Sequence, residues 1–336
     1  MSATIKGAAT ELGTERIRKL LMQYAVPAII AMTASSLYNM VDSIFIGHGV
    51  GPLAISGLAL TFPLMNLAAA FGSLVGVGAA TLISMRLGQK DYASAQYILG
   101  NVVVLNFIIG LGFGLVTLLF LDPILYFFGA SEATIGYARD YMSIILMGNV
   151  VTHMYLGLNS VLRSAGHPRK SMYATINTVV INTILDPLFI YGFGWGIRGA
   201  AIATVLAQVI SLVWQFRLLS DSSELLHFHR GIYRPRKRIV KEILAIGMSP
   251  FLMNVTACFI VILINKGLKE HGGDLMIGAY GIVNRLAFFF VMIVMGLNQG
   301  MQPIAGYNFG ARQYDRLMHV LKLTVIGATC VTSLGF

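Results

Sequence analysis

The polar and apolar positions of this chain fall into one repeated theme, long uninterrupted apolar stretches separated by short polar ones. The stretches run Tyr24–Ile46, Leu53–Met85, Tyr97–Leu121, Tyr141–Val161, Ala174–Phe193, Ala200–Leu219, Ile243–Ile264, Met276–Leu297 and Leu321–Phe336. All but the last reach about 20 residues, the length at which a helix crosses a hydrocarbon core of roughly 30 Å. None alternates as a barrel strand does, and an open sheet cannot satisfy its backbone in lipid. The pattern predicts an all-α polytopic membrane protein with eight full spans and an incomplete ninth.

Composition agrees. Of 336 residues 56% are hydrophobic and only 11% charged, against roughly a quarter charged in soluble domains. The net charge of +10 raises nucleic acid as a partner, but its placement argues for a membrane. Lys and Arg gather on alternate loops: Arg16 to Lys19, Arg86 with Lys90, Arg163 to Lys170, Arg230 to Lys241, and Arg312 with Arg316. That bias predicts a cytoplasmic N-terminus and no nucleic-acid partner. Anionic lipid accounts for the basic loops. The segment before the first span lacks the form of a cleavable signal. Cys258 and Cys330 fall inside apolar stretches and read as small core residues, not as a disulfide or a metal site.

The sharpest break in composition is 221–239, a basic linker that divides the chain into an N-terminal segment (1–20), an N-lobe of six spans (21–220) and a partial C-lobe (240–336). Beyond the linker the chain restarts. Val26-Pro27 resembles Ser249-Pro250, and Leu87-Gly88-Gln89-Lys90-Asp91-Tyr92 resembles Phe309-Gly310-Ala311-Arg312-Gln313-Tyr314, at nearly one offset, as parallel internal repeats would give. Phe336 ends an apolar run with no charged anchor after it, so the sequence reads as C-terminally truncated.

Ionisable groups at bilayer depth are costly and tend to mark ion or substrate pathways. Asp42, toward the outer end of the first span, and Asp186, in the outer half of the fifth, are the clearest cases. Asn39 stands three residues before Asp42 and Asn182 four before Asp186, so each Asn shares a helix face with its acid. Pro187 removes a donor beside Asp186 and favours a kink. At the repeat offset Asp42 falls opposite Asn265, so the acid pair belongs to the first half alone. Arg285 is the one basic residue expected deep in a span, to pair with an acid, contact substrate or bind backbone carbonyls. Arg139-Asp140 reads as an interfacial anchor, and His153 as a satisfied core residue.

The residues that carry a family likeness are Val26-Pro27 with Val41 through Gly47, Leu162-Arg163-Ser164-Ala165-Gly166-His167-Pro168, Asn182 through Pro187, Gly196 through Thr204 and Gln302 through Gly310. In order and spacing they resemble the multidrug and toxic compound extrusion (MATE) transporters, the bacterial MepA-like and DinF-like branch. The resemblance implies a two-lobe antiporter, a monomer in a bacterial plasma membrane, that exports small organic, often cationic, compounds in exchange for H⁺ or Na⁺ and needs no cofactor. It implies a coupling cluster of Asp42, Tyr141, Asn159, Asn182, Asp186 and Thr204, with Na⁺ at Asp42 and Asp186 as one form of the ion. Tyr38, Asn39 and Arg285 are candidate substrate contacts. A flippase for lipid-linked saccharides and a non-transporting fragment are the alternatives. No His-Glu-x-x-His, Gly-x-Gly-Asp or phosphate-loop pattern argues for an enzyme.

Overall fold

A computed structural model describes residues 8–229 and 231–335; within these, nothing is stated of the side chains of 8–10, 261–262, 265–266 and 268–286. A 3₁₀ turn, Ala8–Gly13, precedes ten helices: α1 (Ile17–Gly49), α2 (Pro52–Gly88), α3 (Tyr92–Leu119), α4 (Leu121–Phe127), α5 (Ile135–Met147), α6 (Asn149–Ser164), α7 (Pro168–Pro187), α8 (Gly196–Leu219), α9 (Lys237–Gly310) and α10 (Tyr314–Gly335). No strand occurs among the described residues. Starts are written locally: Pro52 and Pro168 stand in the first turns of α2 and α7, where a missing N–H costs nothing. Asp91 caps α3 by accepting from Ser94 N at 3.1 Å.

Among the described residues eight helices are long and apolar enough to cross a membrane, or nine counting one broken pair. The broken pair is the fourth expected span. It bends by 57° between α5 and α6, where the apolar pattern reads as one helix. The bend sits at Gly148, whose missing Cβ makes room for Val205 of α8. The ninth span, expected to be incomplete, is 22 residues long and passes the same test; the helix starts at Tyr314, before the apolar window does.

The seventh and eighth spans are the two limbs of α9, Lys237–Ile260 and Ala287–Gly310. Ile243 packs at Gly78 and Tyr307 at Gly88. A straight helix would separate Ile243 from Tyr307 by about 95 Å, whereas the two points on α2 lie about 15 Å apart. The limbs therefore run side by side along α2. The contacts are reciprocal: Gly88 meets Tyr307 and Gly310 meets Met85, while Gly78 meets Gly247 and Gly300 meets Ala25. Exchanging each residue for its counterpart 222 positions away turns one contact of a pair into the other, the relation of a two-fold interface. Lys90 and Arg312, equivalent under the same shift, have φ of 60° and 58°, and are the two non-glycine residues with positive φ among those described.

Within the first half α1 lies on α7, α7 on α8, α8 on α5 and α6, and α2 on α3, α5 and α6. The buried apolar residues form two clusters. One surrounds the ends that carry the basic loops, with Leu12, Leu20, Leu87 and Ile243; the other surrounds the far end, with Ile46, Leu58, Tyr141 and Ile197. The cysteines depart from expectation. Cys330 is exposed and Cys258 only half-buried, since a thiol is apolar enough to stand on a lipid-facing surface.

Candidate functional site

Four helices converge at the far-end cluster. Tyr38 and Asp42 stand one turn apart on α1, Asn182 and Asp186 one turn apart on α7, and Tyr141 and Thr204 come from α5 and α8. Asp42, Tyr141, Asn182 and Asp186 are all at most 5% exposed. The two carboxyl groups lie within hydrogen-bonding reach of one another. Asn182 Nδ2 donates to Asp186 Oδ1 at 2.6 Å, and the hydroxyls of Tyr38 and Thr204 are 3.1 Å apart. Tyr141 is buried beside them at 2% exposure.

Backbone features set this register. After Pro187 the chain widens into a π-helical turn, Leu188–Gly192, the local form of the expected kink. Tyr191 of that turn donates to the Phe45 carbonyl at 2.9 Å, tying the end of α7 to the end of α1. Gly199 then lets α8 approach: a Cβ there would lie 2.8 Å from the carbonyl carbon and oxygen of Phe189. That close approach aims Thr204, five residues on, into the cluster.

The electrostatics are one-sided. Asp42 Oδ1 and Asp186 Oδ2 are buried with no hydrogen-bond donor, and none of the ion pairs among the described residues includes either acid. Two carboxylates, an amide and three hydroxyls make a hard-oxygen set suited to a proton or a small alkali cation. No group of three or more His, Cys, Asp or Glu suited to a metal occurs among the described residues.

The structure thus gathers Tyr38, Asp42, Tyr141, Asn182, Asp186 and Thr204. Asn159 goes elsewhere. Its amide donates to Thr175 Oγ1 at 2.9 Å and its oxygen accepts from Ser171 Oγ at 2.6 Å, two to three turns of α7 nearer the basic end. Asn39 is exposed and donates to the Ser35 carbonyl. The side chains of Arg285 and Asn265 lie outside the described residues. Arg139 holds Asp122 through two 2.7 Å bonds and Arg198 holds Asp140 at 2.8 Å. His153 is buried, with Nδ1 at 2.8 Å from the Asn149 carbonyl and Nε2 unpartnered.

Arg163 corrects the sequence reading. Counted there with a basic loop, it is 9% exposed and bonds Ser160 and Ser171. A signal for this second cluster was present: Ser171, Thr175, Thr178, Asn182 and Asp186 recur every three or four residues, a polar stripe along one face of α7.

Comparison with known proteins gives a consistent result. The sequence model of the MatE family matches residues 27–188 and 246–335. The chain is 33% identical over 320 residues to the multidrug export protein MepA of Staphylococcus haemolyticus (strain JCSC1435), covering 94% of this chain and 71% of that one. It is 31% identical over 308 residues to MepA of Staphylococcus aureus (strain NCTC 8325 / PS 47), covering 92% and 68%. Among solved structures, an outward-facing multidrug resistance MATE transporter superposes with a TM-score of 0.91 at 24% identity, covering 98% of this chain and 73% of that one. At that identity the likeness concerns the fold.

Proposed function

This chain belongs to the MatE family, a family of membrane transporters and not of enzymes, and from that premise we propose that it is a secondary antiporter exporting small organic compounds, cationic and multidrug-type, in exchange for H⁺ or Na⁺ bound between Asp42 and Asp186. Its relatives named as multidrug exporters support the class of cargo. The observation that carries the coupling site is the pair of facing, buried carboxylates whose Asp42 Oδ1 and Asp186 Oδ2 have no donor. Two such groups in an apolar interior cannot both stay charged without a cation between them. Neither Lys nor Arg supplies it among the described residues, so a mobile ion does.

The mechanism follows from which helices the ion joins. A proton or Na⁺ between the acids ties α1 to α7; its departure leaves two like charges facing each other and drives those helices apart at the far end. Tyr38 and Thr204, in contact across α1 and α8, would register the same movement, and the π-helical turn after Pro187 is a place for α7 to flex. Export then needs the ion to enter at the far end and leave at the basic end, which in this reading is cytoplasmic, in a bacterial plasma membrane. The protein works here as a monomer without a cofactor.

The test is efflux of a fluorescent organic cation from proteoliposomes under imposed proton or sodium gradients. Asp42→Asn and Asp186→Asn are expected to abolish gradient-driven efflux. Undiminished efflux in either variant refutes the coupling site.

A further inference from the structure

Below the acid pair, the polar stripe of α7 continues as a chain of side-chain contacts. Thr178 Oγ1 donates to Ser211 Oγ at 2.7 Å, and Thr175 stands one turn before Thr178 on the same face of α7. Asn159 joins Thr175 to Ser171, and Ser171 accepts from Arg163 Nη1 at 3.2 Å. Thr178 itself stands one turn from Asn182, the partner of Asp186. Asn159, Ser171, Thr175 and Ser211 are all buried, as is Gln215, one turn beyond Ser211, with neither side-chain polar atom partnered. A polar seam thus leads from the ion site toward the basic end inside the first half of the chain.

Such a seam is a hazard in an antiporter, because hydroxyls and amides in series can pass a proton or dehydrate a small cation. An ion that slipped through would dissipate the gradient without moving cargo. At the basic end of the seam stands Arg163. Its guanidinium is held by Ser160 and Ser171, each at 3.2 Å, and not by the last carbonyls of α6, as a helix-capping arginine would be. None of the ion pairs among the described residues includes it. It is an uncompensated positive charge on the only side of the acid pair where ions must not escape unaccompanied.

We propose that Arg163 is an electrostatic plug: a fixed positive charge that closes the polar seam of α6, α7 and α8 to H⁺ and Na⁺. The ion at Asp42 and Asp186 then leaves only through conformational change. A buried cation excludes others of its sign from a narrow polar path by direct repulsion in a medium that screens poorly. The inference rests on the proposed ion site but assigns a separate property, the tightness of the protein to ions in the absence of cargo.

The experiment measures passive ion entry into proteoliposomes without any organic substrate. An entrapped pH dye follows H⁺ and a radioactive tracer follows Na⁺, with a potassium ionophore clamping the potential. Arg163→Gln is expected to raise leak about tenfold or more, and Arg163→Lys, which keeps the charge, to stay at the wild-type rate. Asn159→Asp sets a carboxylate beside the guanidinium without removing it and should leak as Arg163→Gln does, which covers the case in which Arg163→Gln fails to fold. Wild-type leak in folded Arg163→Gln and Asn159→Asp overturns the plug. Equal leak in Arg163→Lys also overturns it, because packing and not charge would then be the seal. The cargo-efflux assay of Asp42→Asn is independent of these readings, so loss of the ion site and loss of the plug are told apart.

Discussion

Asn182 Nδ2 donates to Asp186 Oδ1 at 2.6 Å from one turn earlier on the same helix, leaving Asp186 Oδ2 turned away from any donor. One oxygen of the acid is thus fixed and the other is available to an ion. Asn182→Ala removes a hydrogen bond to a charged group, worth about 1.5–3 kcal/mol. Because that bond favours the proton-free carboxylate, we expect a coupling proton, read as the gradient needed for half-maximal efflux, to be held about ten- to hundredfold more tightly and released less readily, while membrane insertion is unchanged.

Gly199 tests how the site is positioned. A valine Cβ there would press on the Phe189 carbonyl, and overpacking of this kind costs about 1–3 kcal/mol. Gly199→Val should lower the melting temperature in detergent and displace Thr204 from Tyr38. Gly136→Val, at a glycine with nothing near its Cβ position, should do neither.

The linker is held by charge. Glu224 binds His167 Nε2 and Lys170 Nζ, each at 2.8 Å. Burial pushes its carboxyl up, but Lys170 and His167 together outweigh burial and hold it below its ordinary value. A depressed folded value means the contact is fully present above the unfolded glutamate range, about 4.3, and is lost as pH falls through the lower folded value. Protection of the amides across 221–229, taken relative to the intrinsic exchange rate at each pH, should therefore be high near neutrality and fall only in acid below that range. Glu224→Gln should show the low protection at all pH values.

Arg316 fastens the N-terminal turn. It donates to the carbonyls of Leu12 and Glu15 at 3.2 and 2.7 Å and to Asn308 Oδ1 at 2.9 Å, above a Leu12 side chain with no exposure. Arg316→Ala should free that turn, so that a thiol at Leu12→Cys, protected in the parent, reacts with a water-soluble maleimide.

Much of this was legible in the sequence because lipid imposes a coarse code. The number of spans follows closely from the number of apolar runs, and Asp42 and Asp186 stand out because charge is rare there. Pro187 marked the irregular turn. The 57° break at Gly148 was not legible, since an apolar run looks the same straight or bent and the cause is a contact with Val205 on a distant helix. Arg163 was misread for a related reason. Beside Gly166-His167-Pro168 it looks like loop charge, and only the fold shows α7 folding its serine back over the guanidinium. Asn159 was drawn toward the acids by resemblance, but its position on α6 puts it level with Ser171 and Thr175.

The reciprocal glycine contacts along α2 and α9 have a mechanical consequence. Where Gly78, Gly88, Gly300 and Gly310 bring backbone against backbone, the helices meet with few interlocking side chains, and the bridges across the line are polar ones, Gln302 to Thr81 and Arg86 to Glu242. Such a line serves as a fulcrum. The end of α1 at Gly49 lies 24 residues beyond Ala25, about 36 Å at helical rise. A roll of about 10° at the fulcrum would sweep that end by about 6 Å, wide enough to open or shut a passage for a drug-sized molecule.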